Sequence, residues 1–312
     1  AISGKATALR RMPGAGIEHL EAALAGFEES LPILRSQGED EEIAEVEMTY
    51  GLVLQALAGV GRAQLPLAIQ AYHRALRFFD AARFPREYAI LHNNLATAYL
   101  SMSMMPGKEG VREALAVQSF KEALRSLTIE EDPVEYAMLQ NNLGNAHRDR
   151  IAGEKAANVE RAIECYEAVL RVCTEAGSPL DWAATQNNLG NACRNRIVGA
   201  RADNIERAIA CYEAALRVRT EAALPEMWAA TQTNLGNAFS ERILGERADN
   251  LERAIACHEA ALRVHCWAPL GRNSTWTMTH CPAGCREITV RRRRARGDRN
   301  SRAVDAEIRA LR

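Results

Sequence analysis

Aromatic residues are scarce in this chain of 312 residues: four Trp, seven Tyr and six Phe make up 5% of it. Any core must therefore be built from Ala, Leu, Ile and Val. Cysteine is sparse too, and eight in a chain of this length are too few for a disulfide scaffold. Net charge is nearly absent. The 39 Lys and Arg against 40 Asp and Glu leave -1, so whole-chain electrostatics favour neither nucleic acid nor a membrane surface. No apolar run approaches the roughly 18 residues of a membrane span. The opening stretch, Ala1 to Met12, lacks the apolar core of a secretory signal. It also lacks an initiator Met, as expected of a fragment or a processed product. What remains, 47% hydrophobic and 25% charged, is ordinary soluble-protein composition. The expected setting is soluble, reducing and cytoplasmic. Secreted mini-domains, membrane proteins, collagens and largely disordered chains are excluded. Size alone allows two or three domains or one extended repeat array.

A repeat decides between these. Asn142-Leu143-Gly144-Asn145-Ala146 recurs as Asn188-Leu189-Gly190-Asn191-Ala192 and as Asn234-Leu235-Gly236-Asn237-Ala238, each time after 46 residues. A second block keeps the same step, with Asn158-Val159-Glu160-Arg161-Ala162-Ile163 returning from Asn204 and from Asn250. Chance does not hold two separate blocks in register. Weaker copies lie upstream at Asn94-Leu95-Ala96 and Tyr50-Gly51, and for the second block at Ala23-Leu24, Ala68-Ile69 and Ala116-Val117. The array is expected from about residue 17 to about 265, after a short N-terminal segment (1–16) and before an irregular, Arg-rich tail (266–312). It holds one lone second-type helix followed by five pairs.

Each block reads as a helix. Ala208, Ile209, Tyr212, Ala215 and Leu216 form one apolar stripe at a 3.6-residue period, which strand alternation does not fit. Asp132-Pro133-Val134-Glu135 and Ser178-Pro179-Leu180-Asp181 mark helix starts, with a capping residue, a Pro at the first helical position and an acid two residues on. Asp203 with Glu206 and Asp249 with Glu252 read as capping boxes of the second helix, and in the copy with Ala157 the cap shifts to Asn158. Gly153, Gly199 and Gly245 are expected where the first helix stops. Two helices of roughly 16–18 residues result, each about 25 Å long. One such pair cannot bury its stripe alone, so stacked pairs, an all-α solenoid, are expected.

At these residues the chain resembles tetratricopeptide (TPR) repeats. Leu95-Ala96 with Tyr99 and Leu235-Gly236 with Phe239 match the first helix of that family. Ala68/Tyr72/Ala75, Ala116/Phe120/Ala123 and Ala208/Tyr212/Ala215 match the second. The resemblance covers about four fifths of the chain and implies antiparallel helix pairs in a right-handed superhelix. There are departures. The usual period is about 34, Val169 stands for an Ala, and His147 and Cys193 replace the first-helix aromatic. The motif wording is similar to a long-period bacterial subgroup whose members are often joined to caspase-like peptidase (CHAT) or other signalling domains. No such catalytic domain is evident in this chain.

The resemblance implies that the first helices line a concave groove that binds a protein or peptide. Carried over, the groove positions are Asn141, Asn187 and Thr233, then Asn145, Asn191 and Asn237, then Arg148, Arg194 and Ser240. Offsets of four and seven put the three sets on one helix face. A carboxamide both donates and accepts, so stacked Asn can hold an extended backbone, and Arg can take a carboxylate through two N–H bonds. The competing reading is that these Asn set the stacking of neighbouring helices, which is the expectation for Asn142, Asn188 and Asn234. Trp182 and Trp228 are expected to pack between repeats.

Cys165, Cys211 and Cys257 share one repeat position and read as small buried thiols about 10 Å apart, beyond disulfide reach. Ser3-Gly4-Lys5 is no phosphate loop, because the upstream Gly is missing. His92, His147 and His258 track the apolar stripe. No catalytic, cofactor or metal site is expected, and the chain does not read as an enzyme. After Val264 the repeat fails, with Thr279-His280-Cys281-Pro282 where Leu-Gly is due. Residues 286–312 hold ten Arg and four acids. A non-homologous or out-of-frame tail is the first reading. A basic arm at Arg291-Arg296 for RNA or acidic partners is the second, though no aromatics interleave for base stacking. A zinc site from Cys266, His280, Cys281 and Cys285 is the third, and it lacks the second C-x-x-C pair. The function expected is a protein-binding scaffold, with self-association through an exposed terminal repeat. The alternatives are a sensor segment of a larger signalling or protease system and an RNA-associated scaffold.

Overall fold

The computed structural model describes residues 16–103, 109–150 and 153–267. Among the described residues every regular element is a helix, and within each of two units consecutive helices pack as neighbours. The chain divides into two compact units, residues 1–174 and 175–312.

The first unit holds α1 (Ile17–Gln37), α2 (Asp40–Gly59), α3 (Leu65–Ala75), α4 (Pro85–Ser101), α5 (Glu109–Ser126), α6 (Pro133–Asp149) and α7 (Lys155–Leu170). The second holds α8 (Pro179–Asn195), α9 (Arg201–Val218), α10 (Pro225–Glu241) and α11 (Arg247–Trp267). A lone helix is thus followed by helix pairs. From α4 to α10 the helices are 16 to 18 residues long. Pairs are antiparallel. The start of α9 lies at the end of α8, where the Arg201 guanidinium donates to the Arg194 carbonyl, and the end of α9 lies at the start of α8, where Arg217 stacks over Trp182. Within each unit successive first helices also touch past the second helix between them, α2 with α4 and α8 with α10.

Proline opens the first helix at Pro85, Pro133, Pro179 and Pro225, where a missing N–H leaves no bond unmade. The residue before it adopts a similar backbone each time, from φ -133, ψ 59 at Phe84 through φ -142, ψ 65 at Ser178 and φ -141, ψ 63 at Leu224 to φ -144, ψ 79 at Asp132. Asp132 caps as expected, its carboxylate accepting from the Glu135 N–H at 3.2 Å, whereas the Ser178 side chain makes no cap bond.

The second helices begin earlier than their presumed capping boxes. α9 starts at Arg201 and α11 at Arg247, so Asp203 and Asp249 lie inside the first turn. The reason is Asn204 and Asn250, one position further on and 3% and 2% exposed. Their amide NH2 groups reach back to the Val198 and Leu244 carbonyls at 2.9 Å each. These side chains close the interhelix loop from within. Asn158 occupies the same buried place in α7 and is not a cap. Gly199 and Gly245 also differ from expectation. They lie four residues beyond the last helical residue, and the C-caps are the extended Arg196 and Arg242. Their φ of 83° and 80° is what selects glycine in that loop.

The pairs close on a glycine and a ring. A Cβ added to Gly51, Gly144 or Gly190 would fall 2.5, 2.7 or 2.6 Å from the Tyr72, Tyr166 or Tyr212 ring of the same pair, and one on Gly236 would fall 2.8 Å from His258. The Leu-Gly motif therefore marks the closest approach of first and second helix. Where Ala96 replaces the glycine, Phe120 replaces the tyrosine, and both are fully buried in one apolar cluster. The last pair differs in exposure. Ile205 and Ile209 of α9 are 0% and 6% exposed, but their counterparts on α11, Leu251 and Ile255, are 39% and 55% exposed.

Candidate functional site

On α6, Asn141, Asn145 and Arg148 are all half-buried. The Tyr166 hydroxyl donates to Asn145 Oδ1 at 2.8 Å, so the ring that packs on Gly144 also orients the next carboxamide. Arg148 donates to both carboxylate oxygens of Asp149, at 2.7 and 3.0 Å, and this bond raises its pKa further. The Asn142 amide donates to Asn93 Oδ1 on α4 at 3.0 Å, tying successive first helices together.

The second unit repeats the pattern. The Tyr212 hydroxyl donates to Asn191 Oδ1 at 2.8 Å, and Asn234 donates to Asn187 Oδ1 at 3.1 Å between α10 and α8. Arg194 reaches Glu241 of α10 at 3.3 Å, and the other oxygen of that carboxylate takes Arg201 at 2.5 Å. The Thr233 and Ser240 hydroxyls turn back to the Ala229 and Gly236 carbonyls of their own helix, each at 3.0 Å. Asn237 is half-buried beside them. The three sets thus lie along one helix face, but both Arg already hold a carboxylate of their own chain, and three Asn present an occupied carbonyl oxygen.

Trp182 is 9% exposed, with Arg217 over its ring at 5.1 Å, and Arg217 is itself paired with Glu175 at 2.9 and 2.7 Å. Trp228 is half-buried.

Polar contacts in the first unit were missed by the repeat reading. The Tyr72 hydroxyl donates to Gln55 Oε1 at 2.7 Å, and Gln55 passes the contact to the Thr97 hydroxyl of α4 at 3.0 Å. Gln55 stands four residues after Gly51, as Arg148 does after Gly144, so the repeat register was a signal for it. Glu47 is 1% exposed and accepts from both Arg35 and Arg74. Its partners are 12 and 27 residues away, and no motif announces them.

The thiols and imidazoles are shaped by burial. Cys165, Cys173, Cys193 and Cys211 are buried as thiols, and Cys257 is half-buried. Burial pushes the Cys165 thiol up to about 12, which disfavours the thiolate that nucleophilic or metal chemistry needs. His147 is 2% exposed, and burial, then Lys121, Arg161 and Arg150, lower its pKa to about 4. Among the described residues no group of three or more His, Cys, Asp or Glu is placed to hold a metal ion. No described helix is long and apolar enough to cross a membrane. The Cys266/His280/Cys281/Cys285 set and Arg291-Arg296 fall outside the described side chains.

No protein-family model and no curated protein matches the chain. Among solved structures it is similar to the assembly chaperone of RpL4 (Acl4, residues 1-338), with a TM-score of 0.49 and 12% sequence identity over 94% of this chain and 98% of that one.

Proposed function

We propose that the chain is a helical-repeat scaffold that binds a protein or peptide partner along the polar face of its first helices. The row Asn141, Asn145 and Arg148 serves in the first unit, and Asn187, Asn191, Arg194, Thr233 and Asn237 serve in the second. The observation that carries the reading is the tyrosine-held carboxamide. The Tyr166 and Tyr212 hydroxyls donate to the carbonyl oxygens of Asn145 and Asn191 at 2.8 Å each, which fixes the orientation of each carboxamide on the helix face before a partner arrives. Side chains fixed before binding lose little rotamer freedom on association. Arg148 and Arg194 meet a partner carboxylate only by exchanging Asp149 and Glu241 for it, so they select among partners more than they add affinity. Joint replacement of Asn145, Asn191 and Asn237 by Ala is expected to reduce partner capture from the native extract. The melting temperature falls, because two buried tyrosine hydroxyls lose their acceptors, but the circular dichroism of the folded chain is retained at the assay temperature. Equal capture by the variant rejects the reading.

The setting belongs to the same proposal. Buried thiols fit the bacterial cytoplasm. In the long-period bacterial arrays that the motifs resemble, such a scaffold supplies the sensing part of a signalling or CHAT-type protease system.

A second reading, self-association, is favoured by α11. It exposes at Leu251 and Ile255 the row that α9 buries at Ile205 and Ile209. Ile255→Lys is expected to convert a concentration-dependent dimer into a monomer in light scattering. A wild-type chain that stays monomeric at 100-fold higher concentration removes this reading.

A further inference from the structure

The first unit carries a second polar feature, away from the first-helix rows, where α1, α2 and α3 meet. Glu47 of α2 lies at its centre with its side chain 1% exposed. One oxygen, Oε1, accepts all three bonds: from Arg35 Nε at 2.9 Å, Arg35 Nη2 at 2.5 Å and Arg74 Nε at 2.8 Å. Two guanidiniums thus share a single carboxylate, and one positive charge is left over. Arg35 and Arg74 are only partly covered, with 43% and 31% of their side chains exposed.

Both guanidiniums line a cavity of about 210 Å³. Its other walls are Leu31 and Pro32 of α1, Tyr50 of α2, and Leu67 and Gln70 of α3, with Glu28 the one additional acid. Glu28 is exposed and makes no ion pair with either guanidinium, so it offsets the excess charge only in part. The donors not engaged by Glu47 are Arg35 Nη1 and Arg74 Nη1 and Nη2. A planar guanidinium with open N–H groups matches a carboxylate in geometry as well as in charge. Leu31, Pro32 and Leu67 give the same space an apolar wall suited to a methylene stem.

We propose that this cavity binds the acidic side chain of a peptide, a carboxylate on a short aliphatic stem, between Arg35 and Arg74. The buried Glu47 fixes both guanidiniums before the ligand arrives, so the site does not have to be assembled by binding. The volume admits one side chain and excludes a folded element. The excess charge selects an acid over an amide of the same shape. The site is independent of the asparagine rows, and its test does not involve them.

The full chain is titrated with an acetylated, amidated tetrapeptide carrying two central glutamates, and with its glutamine twin. The methyl signals of Leu31 and Leu67 are followed by NMR. The glutamate peptide is expected to shift both, and the glutamine twin to shift neither. Arg74→Ala is a poor probe because it strips a partner from a buried carboxylate. Gln70→Glu leaves the Arg–Glu–Arg contact intact and places a like charge at the exposed rim. It is expected to weaken the glutamate peptide about fivefold with no loss of melting temperature. Equal response to the two peptides, or undiminished binding by Gln70→Glu, overturns the proposal. So does a response to inorganic phosphate without one to the glutamate peptide.

Discussion

Gly190→Ala tests whether the glycine–ring contact organises a helix pair. The new Cβ would lie 2.6 Å from Tyr212 Cε1, 2.9 Å from Cδ1 and 3.0 Å from Cζ. Ordinary carbon contacts are about 3.5–4.0 Å, so the ring or the helix must yield by about 1 Å. The ring has little room to do so. Tyr212 is fully buried, and its hydroxyl is tied to Asn191 at 2.8 Å. Overpacking of this kind costs about 2 kcal/mol. Replacing a mid-helix glycine by alanine returns about 1 kcal/mol of helix propensity. The net expectation is a loss of about 1 kcal/mol, opposite in sign to propensity alone. A double-mutant cycle sharpens the test. Tyr212→Phe removes the hydroxyl bond, at about 1 kcal/mol, and lets the ring slide. Alanine should then fit better, as it does opposite Phe120 at Ala96. A favourable coupling of about 1 kcal/mol between the two changes is expected. Urea unfolding followed by far-UV circular dichroism measures all four corners of the cycle. A Gly190→Ala protein that unfolds at higher urea than the parent, or a cycle without coupling, refutes the reasoning.

Other expectations follow from the buried polar groups. His147 has a folded pKa near 4 against an unfolded value of 6.5, so the unfolded chain binds the extra proton between these values. Its contribution is therefore complete above pH 6.5 and is lost as pH falls toward 4, by up to about 3 kcal/mol. His147→Phe, the residue type found at Phe239, should flatten that limb of the stability profile, and an unchanged slope between pH 6.5 and 4 contradicts the assignment. Asn204→Ala leaves the Val198 carbonyl without its 2.9 Å partner and should destabilise by about 1–3 kcal/mol in the same urea assay. Gly199→Ala should cost about 1 kcal/mol through its φ of 83° alone, and a neutral result would mean the loop does not hold that backbone.

The repeat made much of the fold legible, for a physical reason. Prolines at the first helical position and a 3.6-residue apolar stripe are local signals, and the 46-residue step shows that they recur in register. What escaped was the use of side chains across elements. Asp203 with Glu206 has the spacing of a capping box, yet Asn204 reaches two carbonyls in the preceding loop and draws the helix start back to Arg201. Sequence spacing does not distinguish a side chain that caps from one that points inward. The candidate rows were legible as positions on a helix face, because offsets of four and seven fix that. Their state was not. The tyrosine that holds Asn191 is 21 residues away, and the Glu241 that meets Arg194 is 47 away. The motif records which residues recur in a pair and leaves unspecified which side chains meet across its two helices or between pairs.

The junction before each first helix has a consequence for how the array can change length. Ser178 and Leu224 hold the same backbone to within 2° in φ and ψ, and each is followed by a proline that opens a helix. Joining Ser178 directly to Pro225 would remove a whole module without asking either flank for a new bend. A tandem duplication of the same span would add one on the same terms. The seam thus has the same backbone at both ends of the module, which suits it to change in copy number. A single recombination event at the DNA level could lengthen or shorten it while every surviving joint keeps its geometry.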